Sequence, residues 1–337
     1  MAHNLTDFLE RLASHYGLGD DLAALAALEG SLVPAEASVS LDGHATEKEL
    51  RCTLGAPARP EDSEGRQALR AALELLGAGP AGAAADEALA RAARGAPKRR
   101  YARAIALRAR PGRVRPRVGS WIGGETVGER CARITNVLRG LGLDGAAQSH
   151  ASLTNVLVSN PFSATFPYGI GLDLTASGID GAKTYFASES AEVLLGHVHG
   201  PIAQALGLQG ATKPFDSLVA VAGSNWRRTR WLLEASFELP RDPSLGTRVK
   251  LYLTPSSLAA TDSGPHRAIV RLAADIGLDC TPYEELVGVL GPGDFVATMM
   301  AGVSVSAAGC SLEVYVFVRP WVANWVQETA IVGRDWR

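Results

Sequence analysis

Runs of alternating apolar and polar residues recur at a regular spacing along the chain. Five times, a strand-like run is followed by a turn signal and by a second run with the same period of two. The five pairs cover 35–41 and 49–54, 101–109 and 113–118, 168–176 and 182–187, 230–239 and 248–253, and 295–306 and 311–318. Reference positions in the second runs, which are Arg51, Arg115, Lys183, Lys250 and Glu313, lie 64, 68, 67 and 63 residues apart. That regularity indicates an internal repeat, and only Pro116 argues against a strand.

Helix-like periodicity fills the intervals between these pairs. The clearest stretches are 61–77, 86–94, 129–142, 189–207 and 264–278. The Ala/Gly-rich stretches 77–85 and 149–163 also fit short linkers, although neither predicts disorder.

Five hairpins make ten antiparallel strands, and a sheet of that length tends to close. We therefore predict an α+β fold, a ten-stranded antiparallel β-barrel of five αββα repeats inside a ring of α-helices. It forms a single domain over 1–337, with repeats at about 20–80, 85–145, 150–215, 216–280 and 281–337.

The two faces of the second strands differ in chemistry. One face is apolar and is expected to pack against the helices, as in Leu50, Cys52 and Leu54. The other face is basic and aromatic, whereas the inner face of a helix-wrapped barrel is usually apolar. Enclosed cations need partners, so the pattern favours a solvated lumen that binds an anion with several oxygens, such as a diphosphate. Ordinary strands with solvated outer faces are the alternative.

Composition and charge narrow the class of protein. With 33 Lys and Arg against 35 Asp and Glu, the net charge is −2, which gives no reason to expect nucleic acid or a membrane as partner. The four cysteines are far apart and form no CxxC pair, and the N-terminus lacks a secretory signal pattern. We expect a cytoplasmic protein.

Other catalytic motifs are weak. No nucleotide-binding glycine motif or nucleophile elbow appears in a strand–helix context, and no acidic cluster of the all-helical terpenoid enzymes occurs. His197 and His199 would face different directions on a helix, which disfavours a metal site. Trp321, Trp325 and Trp336 are more typical of a packed tail than of a substrate site.

The combination of hairpins and inner-face residues resembles the ABBA aromatic prenyltransferases, whose fold is the PT barrel. The resemblance covers about 33–320 and is strongest to the dimethylallyltryptophan synthase-like indole prenyltransferases of bacteria. AEASVSL with ELRCTL looks like the first hairpin of that branch, and GAKTYF and TRVKLYL look like its diphosphate-binding strands.

The resemblance implies an enzyme that transfers a dimethylallyl or longer allylic group from its diphosphate to an electron-rich aromatic acceptor. Glu36 matches the acid that binds an indole N–H and assists proton loss. Arg51, Arg115, Lys183, Arg248 and Lys250 are the candidate diphosphate ligands. Tyr185, Tyr252 and Tyr315 are the candidate shield around the allylic cation. The acceptor stays open between tryptophan, another indole, a peptide and a phenol, and a monomer is expected.

Position 51 also bears on metal dependence. In the phenol- and naphthalene-prenylating branch an Asp that holds Mg²⁺ often stands there, whereas this chain has Arg51. The resemblance therefore implies a reaction that needs no metal or other cofactor. A Mg²⁺-dependent phenol prenyltransferase and a non-catalytic isoprenoid-binding barrel stay as alternatives. Two departures are Glu313, where a basic or amide residue is expected, and a fifth repeat whose first strand (Val303, Val305) lacks aromatic residues.

Overall fold

Ten antiparallel strands form a closed barrel in this computed structural model, which describes residues 5–18, 22, 24–29, 31–42, 49–55, 63–96, 103–158, 165–188, 190–222, 233–253 and 264–318. Each strand pairs with its neighbours in the chain, and β1 closes the barrel against β10. The strands are Val33–Asp42 (β1), Leu50–Gly55 (β2), Arg103–Arg110 (β3), Arg113–Trp121 (β4), Thr165–Thr175 (β5), Gly178–Ser188 (β6), Leu233–Pro240 (β7), Arg248–Leu253 (β8), Phe295–Ser306 (β9) and Gly309–Val318 (β10). The predicted fold class is confirmed.

Helices lie outside the barrel and connect one hairpin to the next. Those in the described ranges are Leu5–Tyr16 (α1), Ser63–Leu75 (α2), Gly79–Ala92 (α3), Val127–Gly140 (α4), Asp144–Val158 (α5), Ala191–His197 (α6), Lys213–Ala222 (α7), Pro265–Asp275 (α8) and Thr281–Asp294 (α9). Helix α6 continues through a π-helical turn at Val198–Ile202 into the short α-helical segment Ala203–Ala205. A capping box at Thr126 and Glu129 begins α4.

The linker interpretation of the two Ala/Gly-rich stretches is wrong. Most of 77–85 lies in α3, and 149–158 lies in α5. Alanine has the highest helix propensity, and Ala85, Ala146 and Ala147 are buried, so small residues here allow close helix packing.

The third hairpin turns earlier than predicted. The runs 168–176 and 182–187 predict a turn over the intervening SGIDG (177–181), but β6 begins at Gly178 and the turn is Ala176–Ser177. Gly178 has a φ of 145°, a conformation that glycine adopts readily, and a register shift follows where Leu174 pairs with Ile179. Pro116 is tolerated because it lies just before Arg117, the first residue of β4 that pairs with β5.

The outer faces of the strands form the core together with the helices, as predicted. Leu50, Leu54, Leu251, Leu312 and Val314 are each at most 2% exposed. Val303 and Val305 also lie in this core, so the lumen face of β9 is formed by Gly302, Ser304 and Ser306 instead. Their lack of aromatic rings therefore says nothing about the lumen.

The strand ends that are joined within each hairpin lie at one end of the barrel, which we call the turn end. The connections that contain the helices lie at the other, helix-linked end. Residues two apart on one strand face the lumen about 6.6 Å apart, so each strand contributes to successive layers between the two ends. On β8 the order from the turn end is Arg248, Lys250 and Tyr252.

Candidate functional site

A layer of paired charges crosses the lumen between its two ends. We call it the basic layer, and its members are Arg51, Arg108, Arg117, Lys183 and Lys250 with the carboxylates Asp173, Glu238 and Glu313. The cations come from β2, β3, β4, β6 and β8. Because each repeat adds a residue at the same height, distant parts of the chain converge in one plane.

Glu238 on β7 gathers three of these cations. Arg108 donates through Nη2 to Glu238 Oε1 at 2.7 Å, Arg117 Nη2 lies 3.6 Å from that oxygen, and Lys183 Nζ lies 3.8 Å from it. Arg117 also forms a two-pronged pair with Asp173, at 2.6 and 2.8 Å. The pairing holds the pKa of Glu238 well below its usual range, although burial opposes this.

Glu313 on β10 holds the remaining two cations. Its Oε1 accepts from Arg51 Nη1 at 2.5 Å, and its Oε2 is bound by Lys250 Nζ. Glu49 takes the other edge of Arg51, accepting from Nε at 2.8 Å. The unexpected acid of the fifth repeat therefore neutralises two of the candidate diphosphate ligands.

The two lysines have perturbed acidity. Burial, followed by the charges of neighbouring cations, holds the pKa values of Lys183 and Lys250 well below their usual range. Each side chain is only 3% exposed. A bound anion would favour their protonated forms.

An aromatic layer follows the basic layer toward the helix-linked end. Lys183 Nζ lies 5.3 Å from the ring centroid of Tyr185 and 5.5 Å from that of Tyr252. Lys250 Nζ lies 5.6 Å from the Tyr252 centroid and 6.0 Å from that of Tyr315. The three predicted shield residues therefore present their rings to cations, which is the arrangement that attracts positive charge.

Glycines make space for this layer. A Cβ at Gly302 would lie 2.9 Å from Lys250 Cδ and from the Tyr252 ring. A Cβ at Gly171 would lie 3.0 Å from Arg117 Cδ and 3.7 Å from the Tyr185 hydroxyl. The lumen wall is therefore bare where the large side chains of the neighbouring strands lie across it.

Glu36 lies beyond the aromatic layer, on β1. It pairs with the backbone of Phe317, two residues past Tyr315, and its Oε1 accepts from Thr53 Oγ1 at 2.7 Å. Burial raises the pKa of Glu36 to about 7, against the lowering effects of Thr53, Lys183 and Lys250. A carboxyl group with that pKa can accept or return a proton near neutral pH.

Arg115 and Arg248 lie apart from the other candidate ligands. Both line a cavity of about 480 Å³ at the turn end, together with Arg108, Glu238 and hairpin residues. Arg115 is 45% exposed and lies 3.9 Å from Asp180. The structure thus brings together Arg51, Lys183 and Lys250. It places the other two predicted ligands at the cavity of the turn end, which we call the mouth.

Sequence reasoning missed several residues of the lumen. Arg108 lies on the first strand of its hairpin, and the same period of two that marks the second strands would have revealed it. Trp121 and Tyr168 extend the aromatic layer, with ring centroids 5.0 Å apart and Tyr168 5.9 Å from Tyr185. Tyr168 adjoins a register shift, which no sequence pattern signals.

Some candidates lie elsewhere. His199 contacts Thr212 at 3.0 Å and Asp216 at 3.2 Å, outside the barrel. In the described ranges no three His, Cys, Asp or Glu side chains are grouped to hold a metal ion, and no helix is long and apolar enough to cross a membrane. Trp321, Trp325 and Trp336 lie outside the described residues.

Solved structures with a similar backbone include dimethylallyltryptophan synthases. A 6-dimethylallyl tryptophan synthase superposes with a TM-score of 0.71 at 17% identity, over 94% of this chain and 95% of that one. The 5-dimethylallyltryptophan synthase from Streptomyces coelicolor gives 0.65 at 18% identity, over 94% and 98%. The 6-dimethylallyltryptophan synthase from Micromonospora olivasterospora, solved in complex with DMASPP and Trp, gives 0.67 at 16% identity, over 94% and 96%.

Sequence comparison adds nothing to this result. No protein-family model matches the chain, and no curated protein matches it. At these identities the likeness concerns the course of the backbone, and it covers nearly the whole chain. The chain therefore has the PT-barrel fold of the dimethylallyltryptophan synthases.

Proposed function

We propose that this protein is an aromatic prenyltransferase, which moves a dimethylallyl or longer allylic group from its diphosphate to an aromatic acceptor. The observation that carries the proposal is the order of layers in the lumen. Arg51, Lys183 and Lys250 lie next to the tyrosine rings, and Glu36 lies beyond them. That order fits a diphosphate, its allylic group and an acceptor placed in a row.

The reaction proceeds by loss of the diphosphate. The allylic C–O bond breaks, and the diphosphate leaves with the electron pair toward the basic layer. Preorganised donors aimed at developing charge are among the strongest catalytic devices, and removing one lowers a rate by about a hundred- to a thousandfold. The allylic cation lies against Tyr185, Tyr252 and Tyr315, whose ring faces stabilise it and exclude water.

The acceptor completes the substitution. An electron-rich aromatic carbon bonds to the allylic carbon, and the proton of that ring carbon passes to Glu36. An indole is favoured, since a carboxyl group at this position can bind the N–H while the aromatic wall of Trp121 and Tyr168 packs on the ring. The neighbours named for tryptophan support the same choice.

The reaction is proposed to need no metal. Arg51, at the position that often holds the Mg²⁺-binding Asp in the other branch, supplies positive charge itself, and its neighbours Lys250 and Arg108 would repel a cation. The basic layer holds more cations than carboxylates. This excess positive charge would stabilise the leaving diphosphate in place of a metal ion.

Product analysis tests the proposal. The protein is incubated with dimethylallyl diphosphate and tryptophan, in EDTA and in parallel with Mg²⁺, and products are identified by mass spectrometry. A gain of one C5 unit in both tubes is expected. Product with Mg²⁺ alone would indicate the metal-dependent branch. Binding of the diphosphate without release of inorganic diphosphate, across a panel of indoles and phenols, would indicate an isoprenoid-binding barrel and overturn the proposal.

A further inference from the structure

Glu313 has a different role from the other residues at its position in the repeat. The equivalent second-strand positions hold Arg51, Arg115, Lys183 and Lys250. Glu313 is 4% exposed on its side chain and is bound by Arg51, by Lys250 and, at 3.4 Å, by the Ser38 hydroxyl. It is an anion placed where the proposed substrate needs cations.

Two cations that would bind the diphosphate therefore already hold a carboxylate. Glu49 covers the Nε–Nη2 edge of Arg51 and Glu313 accepts from Nη1, so both sides of this guanidinium are engaged. The Lys250 ammonium is bound to Glu313 as well. A diphosphate that reaches Arg51 and Lys250 has to replace Glu313 on them.

The remaining carboxylates do not compete in this way. Glu238 lies 3.8 Å from Lys183 and makes its short contact with Arg108, while Asp173 is paired with Arg117 alone at short range. Arg108 and Glu238 line the cavity at the turn end. Glu313 is thus the carboxylate that lies between two candidate ligands, two residues before Tyr315 on the same strand.

We propose that Glu313 is a displaceable counter-ion that limits affinity for diphosphate and promotes release of the product diphosphate; this inference rests on the proposed function. Two anions in a poorly solvated lumen repel far more strongly than in water. Diphosphate binding therefore moves Glu313 off Arg51 and Lys250 or protonates it, and its return favours release. Glu313 is a positioning residue, since it acts through those two cations.

Calorimetry with inorganic diphosphate tests this role on the full chain. Glu313→Gln removes the charge and keeps the shape, and it should lower the dissociation constant by about tenfold or more. Glu313→Ala removes the charge by a second route and should give a similar gain. Glu313→Asp keeps the charge and should stay within about threefold of the unchanged protein.

Glu49→Gln is the matched control for charge. It removes one carboxylate from Arg51 but leaves Lys250 and Glu313 paired, so a smaller gain is expected. In the transfer reaction, inorganic diphosphate should inhibit Glu313→Gln at about a tenth of the concentration that inhibits the unchanged protein. A purely structural role would lower stability without strengthening product inhibition.

The outcomes separate this inference from the proposed function. Product formation with equal diphosphate affinity in all variants would overturn the role of Glu313 alone. Equal gains for Gln and Asp would show that packing, not charge, is responsible, and would overturn it too. Failure of both Gln and Ala variants to fold would make Glu313 a structural partner. Absence of diphosphate binding in every variant, with no transfer, would overturn both proposals.

Discussion

The basic layer and the turn-end mouth use the same kinds of side chain in different ways. Lys183 and Lys250 are 3% exposed and lie among carboxylates and tyrosine rings. Arg115, at the mouth, is 45% exposed, and its contact with Asp180 is 3.9 Å. Under the proposed function, depth along the lumen would separate fixed donors at the reacting atoms from charges that attract an anion at longer range.

This difference has a thermodynamic side. A buried cation requires partners, and Glu238, Asp173 and Glu313 provide them before any substrate arrives. Arg115 at the mouth is exposed and needs none of this support, but salt screens its attraction for an anion. The inner cations are therefore expected to determine rate, and the outer ones to determine encounter.

The largest expected effect lies on neither side but at Glu36, beyond the tyrosines. Glu36→Gln should reduce prenyl transfer by about a hundred- to ten-thousandfold, because the acceptor loses its base. Gln can still bond to Thr53, so the wall should be retained. Rates are measured by product formation and diphosphate affinity by calorimetry. A parallel loss of both would show that Glu36 supports the fold rather than the transfer step.

A matched pair of substitutions compares the layer with the mouth directly. Lys183→Met should lower kcat/KM for the allylic diphosphate by about a hundred- to a thousandfold. Arg108 and Arg117 still neutralise Glu238 in this variant, so the fold should survive. Arg248→Ala should weaken diphosphate binding by less than about tenfold, and more at low salt than at high salt. Equal effects would abolish the distinction, and unchanged affinity in Arg248→Ala would remove Arg248 from the site.

A pH dependence reports Glu36 and the basic layer, and it leaves the mouth out. Glu36 is active when deprotonated and its pKa is about 7, so the transfer rate should rise about tenfold between pH 6 and 8. The pKa values of Lys183 and Lys250 are held low, so diphosphate affinity should fall at higher pH as their charge is lost. Initial rates with saturating acceptor measure both limbs. The acid limb should vanish in Glu36→Gln, and its persistence there would assign it to another group.

Much of the fold follows from local pattern. The period of two places Leu251 and Lys250 on opposite faces of β8. The apolar face has to pack against the helices, so Leu251 points outward and Lys250 inward. The repeat spacing predicts ten strands, and closure removes the edges that an open sheet would expose. Helices α5, α7 and α9 were not predicted. The amphipathic pattern of α5 and α9 is weak, whereas that of α7 is as clear as that of α4 and was missed.

The site was predictable by residue type but not by pairing. Lys183, Lys250, Tyr185 and Tyr252 were found from the basic-x-Tyr repeat and Tyr315 from the matching register of the fifth repeat, and their positions in the lumen agree with it. Arg115 was placed in the same group because its register matches. Twist and stagger of the strands carry it to the mouth, and register along one strand contains no information about stagger.

The sequence by itself determined the number of strands, their inward and outward faces, and a lumen lined with cations and tyrosines. Each follows from contacts between near neighbours in the chain and from the separation of apolar from polar side chains. Only the tertiary structure decided that Glu313 binds Arg51 and Lys250, from positions 262 and 63 residues away. Closure of β1 on β10 makes the pair of Arg51 and Glu313 possible, because it brings the first repeat next to the fifth in space.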